Sequence, residues 1–238
     1  MVNKALNQGH IAIVTDSRGT LLNHLFSVTN FKNSIKVVIS DRECNALVVA
    51  KTYGITTHMI LEPDNILFSQ KLRDYCTENN IMSIISIFSR LFKDRLLEQY
   101  EHRIYNLHPS LLPAFPGLNS LDRSMNSGVR LVGSTIHVVD RSLDGGPIVS
   151  QSIVVNDPGS CEMTKHKVFT GQCKMLIQLV NYINNKRLKM RNGKMDIQDA
   201  MFDDLQFIPA LDDLDALSLE IPFPGLSFFK EAKTVKET

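Results

Sequence analysis

The stretch Ile81–Phe88, with the sequence IMSIISIF, decides which fold this chain can adopt. Only two serines interrupt the apolar run, so a strand here would be apolar on both faces. A strand with one face in water alternates apolar and polar residues, whereas a strand in a parallel sheet is covered by helices on both sides. The stretch therefore predicts a central strand of a parallel sheet.

The surrounding sequence repeats this pattern. Further apolar strands are predicted at His10–Thr15, Ile35–Ser40, Thr56–Ile60 and Arg103–His108. Amphipathic stretches between them predict helices, one of them at Ser69–Asn80. This gives the βαβ alternation of an α/β domain with an open, mostly parallel, Rossmann-like sheet and helices on both faces. Ligands bind beyond the carboxyl ends of such strands. Those ends are expected at residues 88–92, 106–110 and 140–146.

The second half of the chain is organised differently. Two strands are predicted at Leu131–Val139 and Ile148–Val155, followed by a long helix over Glu162–Asn184. Residues 1–200 are predicted to form one catalytic domain. Residues 201–238 form a C-terminal tail without a recognisable chemical motif, expected to serve in packing or as an oligomer contact, such as that of a homodimer.

Composition excludes several classes of function. The chain has 238 residues, 43% hydrophobic content and a formal net charge of +1. This balance gives no global attraction to nucleic acid or an anionic membrane. The four cysteines have no metal-like spacing, and no apolar run is long enough to span a bilayer. We therefore expect a cytoplasmic protein without a metal site, nucleic-acid partner or membrane partner.

The triplet Asn106-Leu107-His108 ends the predicted strand Arg103–His108. Side chains at positions i and i+2 share one face, so Asn106 and His108 would point the same way. A carboxamide can stabilise a developing oxyanion, and an imidazole can move a proton, which suits acyl transfer. Taken alone, such a triplet is more often structural than catalytic.

Two neighbouring segments strengthen the chemical interpretation. The loop Pro109–Gly117 contains three prolines, which restrict the backbone and can fix how the Asn-His pair is presented. Asp144 precedes two glycines in a later loop, where it is either part of the site or an ordinary Asp-Gly turn.

These motifs resemble the folate-dependent formyltransferases, and most closely the glycinamide ribonucleotide (GAR) transformylase branch. The resemblance lies in NLHPSLLPAFPG (106–117), GSTIHVV (133–139) and LDGGPI (143–148), with a looser likeness over about residues 10–190. It implies 10-formyltetrahydrofolate as co-substrate, no metal, and a small-molecule amine as acceptor.

The resemblance also implies roles for individual residues. Asn106 would donate a hydrogen bond to the formyl oxygen, and His108 would transfer the proton. Asp144 would favour the charged imidazole and order a water for the proton shuttle. Thr135 and His137 match family positions near the site, although both could equally be polar residues that pack within a strand. Backbone groups would hold the pterin ring, in the segment Ser89, Arg90, Leu91 and Phe92 and in the loop from Val139 and Asp140 to Asp144.

The acceptor side departs from the family pattern. The first βα turn reads Arg18-Gly19-Thr20-Leu21 where the family has Gly-Ser-Asn around the substrate phosphate. Phe169 and Gln172 stand where the family has a polar residue and a ribose-binding glutamate. The family arginine for the folate glutamate tail has no counterpart near Asp64.

These departures favour an amine other than GAR, such as an amino-sugar nucleotide or a hydroxylated diamine, while Arg18 could restore one phosphate contact and keep GAR open. Two further hypotheses are a deformylase acting on the same folate and a non-catalytic folate-binding relative.

Overall fold

The computed structural model describes residues 10–223 of the chain. Its strands are β1 (Ile11–Thr15), β2 (Ile35–Ser40), β3 (Thr56–Met59), β4 (Ser83–Ile87), β5 (Ile104–His108), β6 (Leu131–Val138), β7 (Ile148–Val155), β8 (Leu188–Arg191), β9 (Lys194–Ile197) and β10 (Phe207–Ile208). Its helices are α1 (Thr20–Phe26), α2 (Thr29–Ser34), α3 (Asn45–Thr52), α4 (Asn65–Glu78), α5 (Arg95–Gln99), α6 (Ser120–Asn126), α7 (Cys161–Asn184) and α8 (Leu214–Ser218).

Eight strands form one sheet in the order β10-β7-β6-β5-β4-β1-β2-β3. Five neighbouring strands pair in parallel, in the order β5, β4, β1, β2 and β3. Strands β6, β7 and β10 pair antiparallel. Strands β8 and β9 form a separate hairpin. The predicted fold class, an open and mostly parallel α/β sheet, is confirmed.

The central strand β1 shows why the parallel strands are so apolar. Ile11 and Ile13 point into one hydrophobic cluster, and Ala12 and Val14 point into another on the opposite face. Helices α1, α2, α3 and α7 supply the first cluster, whereas α4 and α5 supply the second. Both faces of the sheet are therefore covered, as the apolar strands predict.

Helix boundaries were predicted less well than strand boundaries. Strands β2 and β7 have the predicted bounds, but α4 begins at Asn65 rather than Ser69. The Asp64 carboxylate accepts hydrogen bonds from the backbone N–H groups of Ile66 and Leu67, at 2.8 and 2.9 Å, and so caps the helix four residues earlier. Asp64, near which the family arginine for the folate glutamate tail has no counterpart, thus caps helix α4.

The C-terminal part of the described chain adds elements that were not predicted. Strand β10 pairs with β7, with Phe207 opposite Ser152 and Ile208 opposite Gln151. Elements of two and five residues have little stability alone and form here against tertiary partners, so local pattern could not reveal them. The domain boundary after residue 200 stays a prediction, and residues 224–238 of the tail lie outside the described residues.

Two further features concern membrane-spanning helices and cysteine reactivity. Within residues 10–223, no helix combines the length and apolarity needed to cross a membrane. Cys76 and Cys173 are buried, and burial raises the pKa of each thiol to about 12. These two thiols are therefore unreactive core residues.

Candidate active site

The candidate site lies on one face of two adjacent strands. Asn106 of β5 lies opposite His137 of the antiparallel strand β6, and His108 lies opposite Thr135. Because side chains two residues apart share a face, all four point to the same side of the sheet. His108, Thr135 and His137 are buried. Polar side chains at such depth need partners, and each finds them among its neighbours.

Asn106 is held by His137. Their side-chain nitrogens, Nδ2 and Nε2, are 3.2 Å apart, and His137 Nδ1 is 3.0 Å from the Val138 carbonyl oxygen. Because a carbonyl only accepts, Nδ1 carries the proton and donates to it, which leaves Nε2 to accept from the Asn106 amide. The second amide N–H of Asn106 has no partner among the described residues, so it remains available to donate to a substrate oxygen.

His108 has an acceptor at each ring nitrogen. Its Nε2 is 3.1 Å from the Phe115 carbonyl oxygen, and its Nδ1 is 3.5 Å from an Asp144 carboxylate oxygen. An imidazolium can donate to both acceptors, whereas a neutral ring can donate to only one. The geometry therefore gives His108 a place to hold a proton.

Asp144 lies between the two histidines. One carboxylate oxygen faces His108 and accepts a 2.7 Å hydrogen bond from the Gly117 backbone N–H, while the other is 3.7 Å from His137 Nε2. Its backbone is left-handed, with φ of 52°. Nearby Gly146 lets this loop pass the Val138 carbonyl, because a Cβ there would lie 2.0 Å from that oxygen. The loop geometry thus aims the Asp144 carboxylate inward.

Burial keeps His137 in its neutral form. Desolvation lowers the pKa of His137 below its ordinary value of 6.5, and the Val138 carbonyl and the Asp144 carboxylate oppose this shift in part. As pH falls, the unfolded chain takes up the proton before the folded chain does. The stabilising contribution is therefore complete above pH 6.5 and is lost as pH falls from 6.5 through the lower folded-state pKa.

We expect His137→Gln to remove this pH dependence while keeping an acceptor for Asn106. Urea unfolding, measured between about pH 5 and pH 7.5, should show a smaller loss of stability toward acid in the variant than in the natural protein. Burial also lowers the pKa of His10, His24 and His58, so the difference between the two proteins isolates His137. If the free energy of unfolding falls equally toward acid in the two proteins, the pKa of His137 is the same in the folded and the unfolded chain.

The segment Ser89–Phe92, predicted to face the pterin, is anchored by the Arg90 side chain. The guanidinium donates to the carbonyl oxygens of Glu62 and Pro63 and to Asn65, at 2.6 to 2.9 Å, and forms an ion pair with Asp41 at 3.2 Å. Arg90 therefore braces the loop from behind and is not itself positioned as a ligand. Its contacts tie the ends of β2, β3 and β4 together.

The other residues of this predicted pocket have distinct settings. The Ser89 hydroxyl donates to Asp16 at 2.6 Å, Leu91 is exposed, and the Phe92 side chain is buried in the core. Val139 packs against the same core cluster, and Asp140 accepts a hydrogen bond from the Ser142 backbone N–H at 2.8 Å. Among these side chains, Leu91 is the one that is both apolar and exposed.

The first βα turn has a tight backbone. Gly19 has a φ of 82°, and a Cβ there would lie 3.0 Å from the Ala46 backbone, so glycine is required. The Arg18 side chain is exposed, and its carbonyl accepts a hydrogen bond from Asn45 at 2.8 Å. Thr20 is exposed at the start of α1, while Leu21 is buried in the core cluster.

Phe169 and Gln172 lie on the neighbouring helix α7. The Phe169 ring meets His24 of α1 edge to face, with centroids 5.5 Å apart. Gln172 donates from Nε2 to the Ser134 hydroxyl of β6 at 2.9 Å. Phe169 also packs against the cluster that contains Leu21. Phe169 of α7 thus contacts α1, and Gln172 of α7 contacts β6.

Some contacts within the site are only partly predictable from the sequence. His137 was predicted only as a family position, yet it contacts Asn106 directly. The alternation in Gly133-Ser-Thr-Ile-His137 places Thr135 and His137 on one face, and this signal could have paired them with the Asn-His triplet once an antiparallel register was assumed. The Phe115 carbonyl and the Gly117 N–H could not be foreseen, because backbone atoms carry no sequence signal.

Comparisons with known proteins agree on one family. Residues 11–179 match the family model described as formyl transferase. A phosphoribosylglycinamide formyltransferase of Bacillus subtilis is 37% identical over 102 residues, covering 40% of this chain and about half (52%) of that protein. One from Mycobacterium tuberculosis (strain ATCC 25618 / H37Rv) is 28% identical over 163 residues, covering 66% of this chain and 76% of that protein.

Solved structures show the same relationship. The glycinamide ribonucleotide transformylase 1 of Symbiobacterium toebii has a TM-score of 0.73 and 26% identity, covering 79% of this chain and 93% of that one. A formyltetrahydrofolate deformylase of Pseudomonas syringae has a TM-score of 0.71 at 21% identity, covering 81% of this chain and 67% of that one. At that identity the second likeness concerns the fold alone.

Proposed function

The chain belongs to the formyl transferase family, and we propose that it transfers the formyl group of 10-formyltetrahydrofolate to the amine of a small molecule. The resemblance inferred from the sequence motifs is confirmed by the family match. The observation that carries the proposal is the convergence of Asn106, His108 and Asp144 on one face of β5 and β6. Asn106 keeps one N–H without a partner among the described residues, and His108 has acceptors at both ring nitrogens.

The reaction needs a donor for an oxyanion and a carrier for a proton. One bond forms between the amine nitrogen and the formyl carbon, and one breaks between that carbon and N10 of the folate. The amine loses a proton, and N10 gains one. Asn106 donates to the formyl oxygen as negative charge develops there, and His108 moves the proton while Asp144 and the Phe115 carbonyl orient its ring.

We propose that the folate lies against the two loops that the sequence predicts to hold it. The backbone N–H and C=O groups of Ser89–Phe92 form no hydrogen bond with the described residues, although Arg90 fixes the segment in place. The backbone groups of Asp140, Arg141, Leu143 and Asp144 are likewise unpaired within that part of the chain. Most of these residues are exposed, so their backbone groups are open to a ligand, and the polar edge of a pterin can pair with them.

The acceptor is proposed to be an amine other than GAR. Support comes from the apolar Leu21 and Phe169, and from Gln172, whose amide donates to Ser134. Losing a hydrogen bond to a charged ligand group costs roughly 1.5–3 kcal/mol. GAR itself is the second candidate, favoured by the names of the B. subtilis and M. tuberculosis relatives and by the exposed Arg18.

An assay of tetrahydrofolate release tests whether the protein transfers the formyl group and which amine accepts it. With 10-formyltetrahydrofolate alone, a transferase releases little, and with a usable amine it releases one folate for each amine formylated. A deformylase releases folate without any amine, and a non-catalytic binder releases none. Either of the last two results would overturn the proposed transfer.

The same assay tests the acceptor with GAR as the probe. We expect Leu21→Asn, Phe169→Gln and Gln172→Glu together to raise kcat/KM for GAR at least about tenfold. Leu21 is buried, so the double variant Phe169→Gln/Gln172→Glu serves as a control that keeps this core residue. Efficient use of GAR by the natural protein, with no gain in either variant, would leave GAR as the natural acceptor.

We also propose that the protein works in the cytoplasm, since its four cysteines form no disulfide and two are unreactive core thiols. A homodimer stays a prediction, as does the absence of nucleic-acid partners. Size-exclusion chromatography with light scattering would determine the oligomeric state.

A further inference from the structure

We propose that Gln151 is a positioning residue for the formyl transfer proposed above, acting on His108 through the proline-rich loop. Gln151 lies on β7, two strands away from the Asn-His triplet of β5. In the sheet it is paired with Thr135 of β6 on one side and with Ile208 of β10 on the other.

The Gln151 amide donates twice. Its Nε2 is 2.9 Å from the Leu112 carbonyl oxygen and 3.0 Å from the Thr135 hydroxyl oxygen. An amide nitrogen carries two hydrogens, so both bonds form at once. One side chain thereby joins the middle of the proline-rich loop to the neighbouring strand.

Thr135 holds the same part of the loop. Its hydroxyl also accepts a 3.0 Å bond from the Leu112 backbone N–H and donates a 2.7 Å bond to the Ser110 carbonyl. The hydroxyl is fully buried and has no hydrogen-bonding capacity left. Both backbone groups of Leu112 are therefore held by Thr135 and Gln151.

The held loop leads directly to the His108 ring. The Ser110 hydroxyl donates to the Ala114 carbonyl at 2.7 Å and lies 3.2 Å from the Phe115 carbonyl oxygen, which accepts from His108 Nε2. Two residues further on, the Gly117 N–H binds Asp144. A shift at Leu112 would thus reach both partners of the imidazole.

The loop also packs closely against the sheet at Gly133. A Cβ on Gly133 would lie 1.9 Å from the Ser152 carbonyl oxygen and 2.9 Å from the Leu111 side chain. Gly133 therefore lets β7 and the loop close onto β6 together. The Leu111 side chain thus packs on Gly133 while the Gln151 amide holds the Leu112 carbonyl, so close packing and hydrogen bonds together fix the loop on this face of the sheet.

Gln151→Met tests the proposal, because methionine has a similar length and shape but donates no hydrogen bond. We expect kcat to fall about ten- to a hundredfold with 10-formyltetrahydrofolate and GAR as the probe pair, while KM for the folate changes little. In protein carrying ¹⁵N-labelled histidine, the His108 ring resonances, assigned by their absence in His108→Ala, should shift from their positions in the natural protein.

The matched control is Gln178→Met, which removes a buried amide on α7 that bonds to Asp212 and Asp213, remote from the loop. It should lower stability yet leave the His108 resonances and kcat unchanged. Thr135→Ser, which keeps the hydroxyl, should retain more turnover than Thr135→Val. If Gln151→Met behaves like Gln178→Met in both readouts, the positioning role is wrong.

The two hypotheses fail in different ways. If the natural protein releases no folate in response to any amine, the proposed transfer is wrong. The His108 spectra of Gln151→Met and Gln178→Met would still decide whether Gln151 positions the ring.

Discussion

Replacing His108 with alanine is expected to lower kcat by about 10²–10⁴-fold, the range for loss of a positioned general acid–base group. The ring is buried and held between the Phe115 carbonyl and the Asp144 carboxylate, so its orientation is fixed before substrate arrives. Its loss removes the proton carrier from the chemical step. The deficit should therefore persist when both substrates are saturating.

Steady-state kinetics with the best available amine would measure this effect. His102→Ala is the matched control, because His102 is a partly exposed histidine whose ion-pair partner is the exposed Glu101. That variant should keep full turnover. If His108→Ala instead raises KM and leaves kcat unaltered, His108 contributes to binding and a different group moves the proton.

Much of the fold could be predicted because its strands are buried on both faces. A strand such as β2 is a continuous apolar run because helices cover both of its faces. The ends of that run can be read from the local sequence. Helix α4 was placed too late because its first turn carries the exposed residues Ile66 and Leu67, which obscure the amphipathic pattern. Strand β10 depends on pairing with β7, and no local pattern specifies such a partner.

The candidate site could be predicted in part for a related reason. Asn106 and His108 share a face by strand geometry, so their proximity required no knowledge of the fold. Their contacts with His137 and Thr135 depend on the register of β5 and β6, which the triplet alone does not fix. The Arg90 side chain could have been taken for a ligand from sequence, whereas it donates to backbone carbonyls behind the loop. The roles of these residues in turnover remain predictions.

The carboxamide of Asn106 should be as sensitive to substitution as its neighbour. Asn106→Ala is expected to lower kcat by about 10²–10³-fold, the usual loss when one oxyanion donor is removed. His137 uses one N–H of the amide and so directs the other, which makes the donor preorganised. Asn106→Asp should be at least as damaging, because a carboxylate offers no donor and would face both His137 Nε2 and a developing negative charge.

Asn156 provides the control for this prediction. It is a buried asparagine whose amide donates to the carbonyls of Met125 and Val129, at 3.0 and 2.9 Å, away from β5. Asn156→Ala should reduce the melting temperature and preserve kcat, whereas Asn106→Ala should reduce kcat with a smaller effect on melting. If Asn106→Ala turns over at the natural rate, charge on the formyl oxygen is stabilised elsewhere. The Asn106–His137 pair would then serve only to join β5 to β6.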